Sequence, residues 1–222
     1  GLSRPAHTVS HAQYPVTQHL KTRLLLALLA KTDTNSVLIF TRTKHRTRRL
    51  AEQIGRAGYT VTSLHGNRSQ MQRQAALDGF KKGAYQIMVA TDIGARGLDI
   101  DSISHVINFD IPDTADTYIH RIGRTGRAER TGDAFTFVSP EDNGMIQSME
   151  KIMGRALARR TLEGFDYAVP KLAHQQPFHR SQKHTPALSA SRFTSRQRSI
   201  SDGRDFRSPN RSGGGSGVRP LG

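Results

Sequence analysis

Three arginines recur at every third residue in the segment Tyr118-Ile119-His120-Arg121-Ile122-Gly123-Arg124-Thr125-Gly126-Arg127, namely Arg121, Arg124 and Arg127. Residues three apart lie near one face when the chain is helical. Gly123 and Gly126 place no side chain beside them, so a second backbone or a phosphate can approach closely. Clustered guanidinium groups next to glycine suit bidentate capture of phosphate oxygens. The plainer alternative for a short charge run is a solvated basic turn. A second group is Ala90-Thr91-Asp92-Ile93-Gly94-Ala95-Arg96-Gly97-Leu98-Asp99-Ile100. It follows Tyr85 to Ala90, an apolar run of strand length. It therefore reads as a loop at the C-terminal end of a strand, the place where open α/β sheets bind ligands. Thr91 can donate to a phosphate, and Asp99 can accept from a ribose hydroxyl. The plainer alternatives are a cap of a helix or turn for Asp99 and a strand-end hydroxyl bonded to backbone for Thr91.

The segment His120 to Arg127 resembles motif VI of the DEAD-box RNA helicases almost letter for letter, and Ala90 to Ile100 resembles motif V. Val37-Leu38-Ile39-Phe40-Thr41-Arg42-Thr43-Lys44 resembles motif IV, a buried strand running into a polar, basic turn. Gln70-Met71-Gln72-Arg73 fits the Gln-x-x-Arg element that follows it, and the likeness continues from Leu77 to Phe80. The motifs stand in family order, and the resemblance runs from about Val9 to about Gly154. His45, the His65-Gly66-Asn67 turn and the wording of motifs IV and V resemble the bacterial RhlE type.

This resemblance implies a set of roles. Arg124 and Arg127 are the expected catalytic groups, arginine fingers that stabilise charge on the γ-phosphate. With Asp99 and Gly97 they form the nucleotide side of the site, Asp99 holding the ribose. His120, Arg121 and Arg96 are expected at an interface with a partner domain. Thr43, Arg73, Thr91 and Gly94 are expected to bind RNA through its phosphate backbone, with little dependence on base sequence. The implied ligand is ATP with Mg2+. The chain contains no Gly-x-x-x-x-Gly-Lys-Ser/Thr and no Asp-Glu-Ala-Asp. The phosphate loop and the magnesium carboxylates would thus belong mainly to an N-terminal RecA-like domain of a longer protein. The start at Gly1-Leu2 fits such a fragment. The expected partners are RNA and that N-terminal domain, with no membrane, in the cytoplasm; alone, the chain is expected to be inactive as an ATPase. Two further readings stand beside this one: a non-catalytic RNA-binding module, and a helicase-like domain of a DNA-acting enzyme. The Arg96-Gly97-Leu98-Asp99 wording favours RNA.

The elements that must position these residues are legible as alternating periodicities. Helical patterns cover Gln18 to Lys31, Lys44 to Ala57, Ser69 (as cap) to about Lys82, a helix from Asp113 or Thr114 through His120, and Pro140 to Met153. Strand patterns cover Val37 to Thr41, Tyr59 to Leu64, Tyr85 to Ala90, His105 to Phe109 and Ala134 to Val138. Alternation of this kind predicts an α/β fold, a RecA-like parallel sheet flanked by helices, followed by a disordered basic tail. The expected organisation is an extended segment over 1–16, the helicase C-terminal domain over 17–168 and the tail over 169–222.

Composition agrees with a polyanion-binding protein. The 222 residues carry a formal charge of +15 with a pI near 11.0, which implies a nucleic acid partner most simply. A ribosomal or membrane-surface protein would share that balance. From Lys171 to Gly222 ten Lys/Arg face two acids, Asp202 and Asp205, a net +8 in 52 residues. Such a Ser/Arg/Gly-rich segment has too little apolar surface to offset its ordering entropy, and it reads as an RNA tether. Phe178, Phe193 and Phe206 are candidates for stacking on bases. No cysteine occurs, so there is no disulfide framework. The longest apolar run, Leu24 to Ala30, is far too short to span a bilayer.

Overall fold

A computed structural model describes residues 9–32, 35–97, 103–125 and 132–171. Asp99, Arg127 and the basic segment from 172 onward lie outside the described residues. Among the described residues seven strands form one sheet: β1 (Val9–Pro15), β2 (Val37–Phe40), β3 (Val61–Leu64), β4 (Ile87–Ala90), β5 (His105–Asn108), β6 (Gly132–Val138) and β7 (Ala158–Arg159). Their order is β3-β4-β2-β5-β6-β1-β7, and every pairing is parallel. All loops that leave strand C-termini therefore emerge on one edge.

Among the described residues six helices connect the strands: α1 (Lys21–Lys31), α2 (Lys44–Arg56), α3 (Gln70–Lys81), α4 (Asp92–Ala95), α5 (Ala115–Ile122) and α6 (Asn143–Met153). Single 3-10 turns at Gln18–Leu20 and Pro140–Asp142 lead into α1 and α6. The two faces of the sheet are filled separately because side chains alternate along each strand. Val37 and Ile39 point with Ile87, Val89, Ile107, Phe135 and Phe137 toward the leucines of α1 and toward Leu50 and Ile54 of α2. Leu38 and Phe40 point the other way, with Met88 and Ala90, onto Ala76, Leu77 and Phe80 of α3. On that same side, α5 and α6 bury Tyr118, Ile122, Ile146 and Met149 against Ala134 and Val138. β2 and β4 are buried on both faces, which is why they read as continuous apolar runs rather than alternating ones.

Of the N-terminal segment, the described residues from Val9 form a strand inside the sheet. β1 lies between β6 and β7, in register from Val9↔Gly132 to Pro15↔Val138. A domain boundary at residue 17 would cut a paired strand out of the sheet. At the other end, Leu162, Phe165, Tyr167 and Val169 pack on the main core, and His19 reaches the Val169 carbonyl at 2.8 Å.

Candidate nucleotide and nucleic-acid interface

The C-terminal edge of the sheet carries the loops singled out above, and three of its helices start in the same way. Thr43, Thr91 and Thr114 are the N-caps of α2, α4 and α5. Each hydroxyl accepts from the backbone N–H three residues on, at 3.2 Å from Arg46, 3.1 Å from Gly94 and 3.1 Å from Thr117. An accepting hydroxyl keeps its own proton for another partner. Ser69 caps α3 in a full capping box with Gln72. The alternative role weighed for Thr91, a hydroxyl bonded to backbone, is thus met in the form of a helix cap.

The four residues expected at an RNA face lie close along this edge. Thr43 is exposed. Arg73 reaches across from α3 and donates Nη2 to the Gly94 carbonyl at 3.2 Å. Gly94 is required by packing: a Cβ there would stand 2.4 Å from the Leu64 carbonyl oxygen and 3.0 Å from the His65 Cα. The short helix α4 is therefore pressed backbone-to-backbone against the end of β3, with Thr91 and Arg73 on either side of the contact.

Next to it a cleft of about 390 Å³ is lined by Phe40, Asp92, Arg96, Gly97, Asp116, His120 and Arg124, among others. The two glycine-containing arginine segments thus meet in one concavity. Arg96, Gly97 and His120 are exposed and Arg124 is half-buried. Gly97 adopts φ +72°, in the left-handed region, with open space where a side chain would be. His120 Nδ1 lies 3.3 Å from the Asp116 carboxylate one turn earlier. Several cations around an open cleft suit a polyphosphate. Among the described residues there is no cluster of three His, Asp or Glu able to hold a metal ion, so no metal site is assigned to them.

Arg121 behaves differently from its neighbours. Its side chain is 3 % exposed. Nε and Nη2 donate to the two Asp92 carboxylate oxygens at 2.7 Å each, and Nη1 donates to Asn108 Oδ1 at 3.0 Å and the Asp110 carbonyl at 2.8 Å. The guanidinium also sits 4.9 Å over the Phe40 ring. Its donors are directed inside the domain, and the side chain also lines the cleft. Arg121 locks α5 to α4 and to the end of β5. Asp92, Asn108 and Asp110 were not singled out from the sequence, and they complete this lock. Asp110, 3 % exposed, accepts from the Arg42 backbone N–H at 2.9 Å and pairs with the Arg46 guanidinium, tying the start of α2 to the same cluster.

Comparison with known proteins decides the family. Residues 20–129 match the family described as helicase conserved C-terminal domain. The crystal structure of the Escherichia coli DEAD-box protein SrmB bound to regulator of ribonuclease activity A superposes with a TM-score of 0.69 at 32 % identity, covering 74 % of this chain and 98 % of that one. The chain belongs to the DEAD-box proteins, as a helicase C-terminal domain. The DEAD-box ATP-dependent RNA helicase CshA of Bacillus licheniformis is 41 % identical over 165 residues, covering 73 % of this chain and 34 % of CshA. This DEAD-box chain thus spans about a third of the length of the curated relatives it matches. It is also similar to Saccharomyces cerevisiae Dbp5 bound to RNA and ADP BeF3, with a TM-score of 0.65 at 29 % identity, covering 71 % of this chain and 42 % of that one. These relatives are of the CshA, SrmB and Dbp5 kinds, so the likeness to the RhlE type read from His45 and the His65–Asn67 turn does not carry over to a subfamily assignment.

Proposed function

We propose that this domain works as the second half of an ATP-dependent RNA helicase, closing on an N-terminal RecA-like domain around ATP and one RNA strand. The observation that carries the reading is the meeting of Arg96, Gly97, His120 and Arg124 in one cleft, beside the Thr43, Arg73–Gly94 and Thr91 line on the same sheet edge. In this reading Arg124 and Arg127 stabilise charge developing on the γ-phosphate, as preorganised cations at a site that closes against water. Asp99 and Gly97 hold the nucleoside side of ATP. His120 and Arg96, both exposed, face the partner domain, while Arg121 holds the two arginine segments in register from within. Magnesium is held mainly by carboxylates outside this chain. Thr43, Thr91, Arg73 and Gly94 take phosphates of one RNA strand. A bent single strand on that face disfavours the duplex, and short helices unwind without base-specific contacts. The basic segment beyond residue 171 tethers RNA electrostatically. The site of action is the cytoplasm.

The test is RNA-stimulated ATPase. The chain alone is expected to show none, and in the full-length protein Arg124→Ala or Arg127→Ala lowers turnover by about 10³-fold or more, the scale of an arginine finger. RNA affinity without nucleotide stays near the parent value. Robust ATPase from the isolated chain, or near-normal turnover in both variants, refutes the assignment.

A further inference from the structure

The outer face of α2 carries a charge pattern that the nucleotide cleft and the RNA edge do not use. Its exposed side chains include Lys44, His45, Arg48, Arg49, Glu52 and Arg56, with Gln53 half-buried between them, while Leu50 and Ile54 turn inward. A cleft of about 420 Å³ runs along this face, lined by His45, Arg48, Arg49, Glu52, Gln53 and Arg56. The spacing of these six is that of a single helical stripe. Glu52 lies 3.5 Å from Arg48, with both side chains more than half exposed, so the pair is weakly held. A solvated helix face ordinarily mixes its signs; here four cations, Lys44, Arg48, Arg49 and Arg56, face one acid.

The stripe is continuous with the RNA edge at one end. It begins beside the Thr43 cap, and Lys44 Nζ donates to Asn67 Oδ1 at 3.3 Å in the β3–α3 loop. In that loop, burial and the fields of Arg68, Arg48, Lys44 and His45 hold the His65 ring below its ordinary pKa. The same cations therefore converge on one spot between the two elements. From there α2 runs 13 residues, about 20 Å at 1.5 Å per residue, away from the sheet edge.

We propose that this ridge, Lys44, Arg48, Arg49 and Arg56 of α2 with Arg68 beside it, is a second nucleic-acid surface that takes the phosphate backbone of RNA running on beyond the strand held at the sheet edge. The inference rests on the reading of this domain as RNA-binding. Charge complementarity selects a polyanion, and guanidinium forks suit phosphate oxygens. The lining selects RNA over an acidic protein: none of the six residues is apolar, so a protein partner finds no socket for the buried anchor that dominates protein interfaces. The ridge thereby lengthens the RNA path without adding base recognition.

The test uses the 222-residue chain, the variant Arg48→Ala/Arg49→Ala/Arg56→Ala and the matched triple arginine-to-lysine variant. Affinity is read by fluorescence anisotropy for single-stranded RNAs of about 6 and about 20 nucleotides across a salt series. Three lost phosphate contacts flatten the plot of log affinity against log salt by about 2 for a single strand, and the long RNA loses about tenfold or more in affinity at low salt. The short RNA is unaffected, and the lysine variant, which keeps the charges, retains most of the long-RNA affinity. Circular dichroism confirms that both variants fold. Equal losses for both lengths, or no loss for the long RNA, overturn the proposal. So does a ridge variant that loses only its capacity to bind poly-glutamate, which assigns the face to an acidic protein. If the parent chain binds neither RNA, the RNA-binding reading itself falls.

Discussion

Arg121 offers a sharp test of how this domain holds its arginine segments in place. Replacing it with alanine removes four hydrogen bonds, two to Asp92 and one each to Asn108 and the Asp110 carbonyl. Removing one partner of a buried ion pair costs about 3–5 kcal/mol when the other charge stays buried. Asp92 is 41 % exposed, so water recovers part of its share. Asn108 is fully buried and keeps its Thr136 bond, yet its Oδ1 loses its guanidinium donor. Each buried acceptor left unpaired costs about 1–3 kcal/mol. The expected loss is therefore about 3 kcal/mol, a large part of the stability of a domain this size. Urea unfolding followed by circular dichroism reads it as a midpoint lowered by about 1 M or more, for a slope of about 1–3 kcal/mol/M. Arg121→Lys keeps a charge but not the planar fork, so it falls between the two. A loss under about 1 kcal/mol for Arg121→Ala, within the net value of a single ordinary hydrogen bond, refutes the lock. So does a lysine variant as stable as the parent.

Gly94→Ala forces a Cβ to 2.4 Å from the Leu64 carbonyl oxygen, and the resulting backbone shift lowers stability by about 1–3 kcal/mol; an unchanged unfolding midpoint counts against the tight α4–β3 contact. His11 links β1 to α5 through a 3.2 Å contact of Nδ1 with the Tyr118 hydroxyl, and burial, with the Arg155 charge, lowers its pKa from 6.5 to about 4. The folded ring stays neutral where the unfolded ring protonates, so stability is full above pH 6.5 and declines as pH falls toward about 4, by at most about 1.4 kcal/mol per pH unit. His11→Gln flattens that decline, seen by comparing urea midpoints from about pH 7 to about pH 5; an equal slope in the variant refutes it. Deleting Lys171 to Gly222, which carries a net +8, weakens RNA binding and flattens its salt dependence while the unfolding midpoint stays near that of the full chain; equal affinities and slopes mean the segment is passive.

The strands and helices at the sheet edge were legible because their signals are local. Val37 to Phe40 and Ile87 to Ala90 are unbroken apolar runs, and Ser69 with Gln72 spells a capping box. β1 carried no such signal: Val9 to Pro15 holds His11, Gln13 and a proline, and its register with β6 joins residues more than 100 positions apart. β7 has two residues, both exposed, too short for any pattern. The arginine segment was legible by type but not by direction. α5 buries Tyr118, Ile119 and Ile122, and Arg121, three residues after Tyr118, shares that inward face. The spacing that grouped Arg121 with Arg124 also placed it under Tyr118 and beside Ile122, a signal available in the sequence. Arg124 lies beyond the end of α5, where the face no longer applies. Asp92 and Asp110 were missed because an acid beside a strand end has many ordinary uses, and only the fold brings the Asp92 carboxylate and the Asp110 carbonyl to Arg121.

The threonine caps along the sheet edge make folding and ligand capture separable at one atom. At Thr43 the cap uses a lone pair, while any hold on a phosphate must use the hydroxyl proton. Aspartate caps a helix as well as threonine does, yet an ionised carboxylate has no proton to give and repels a phosphate. If Thr43 binds RNA as proposed, Thr43→Asp is therefore a separation-of-function substitution: the helix keeps its start, and a phosphate there loses its donor. Serine at the same position preserves both. Under the proposed RNA-binding reading the position has two separate requirements, an acceptor that begins the helix and a donor that meets a phosphate, and a hydroxyl is the simplest group that satisfies both.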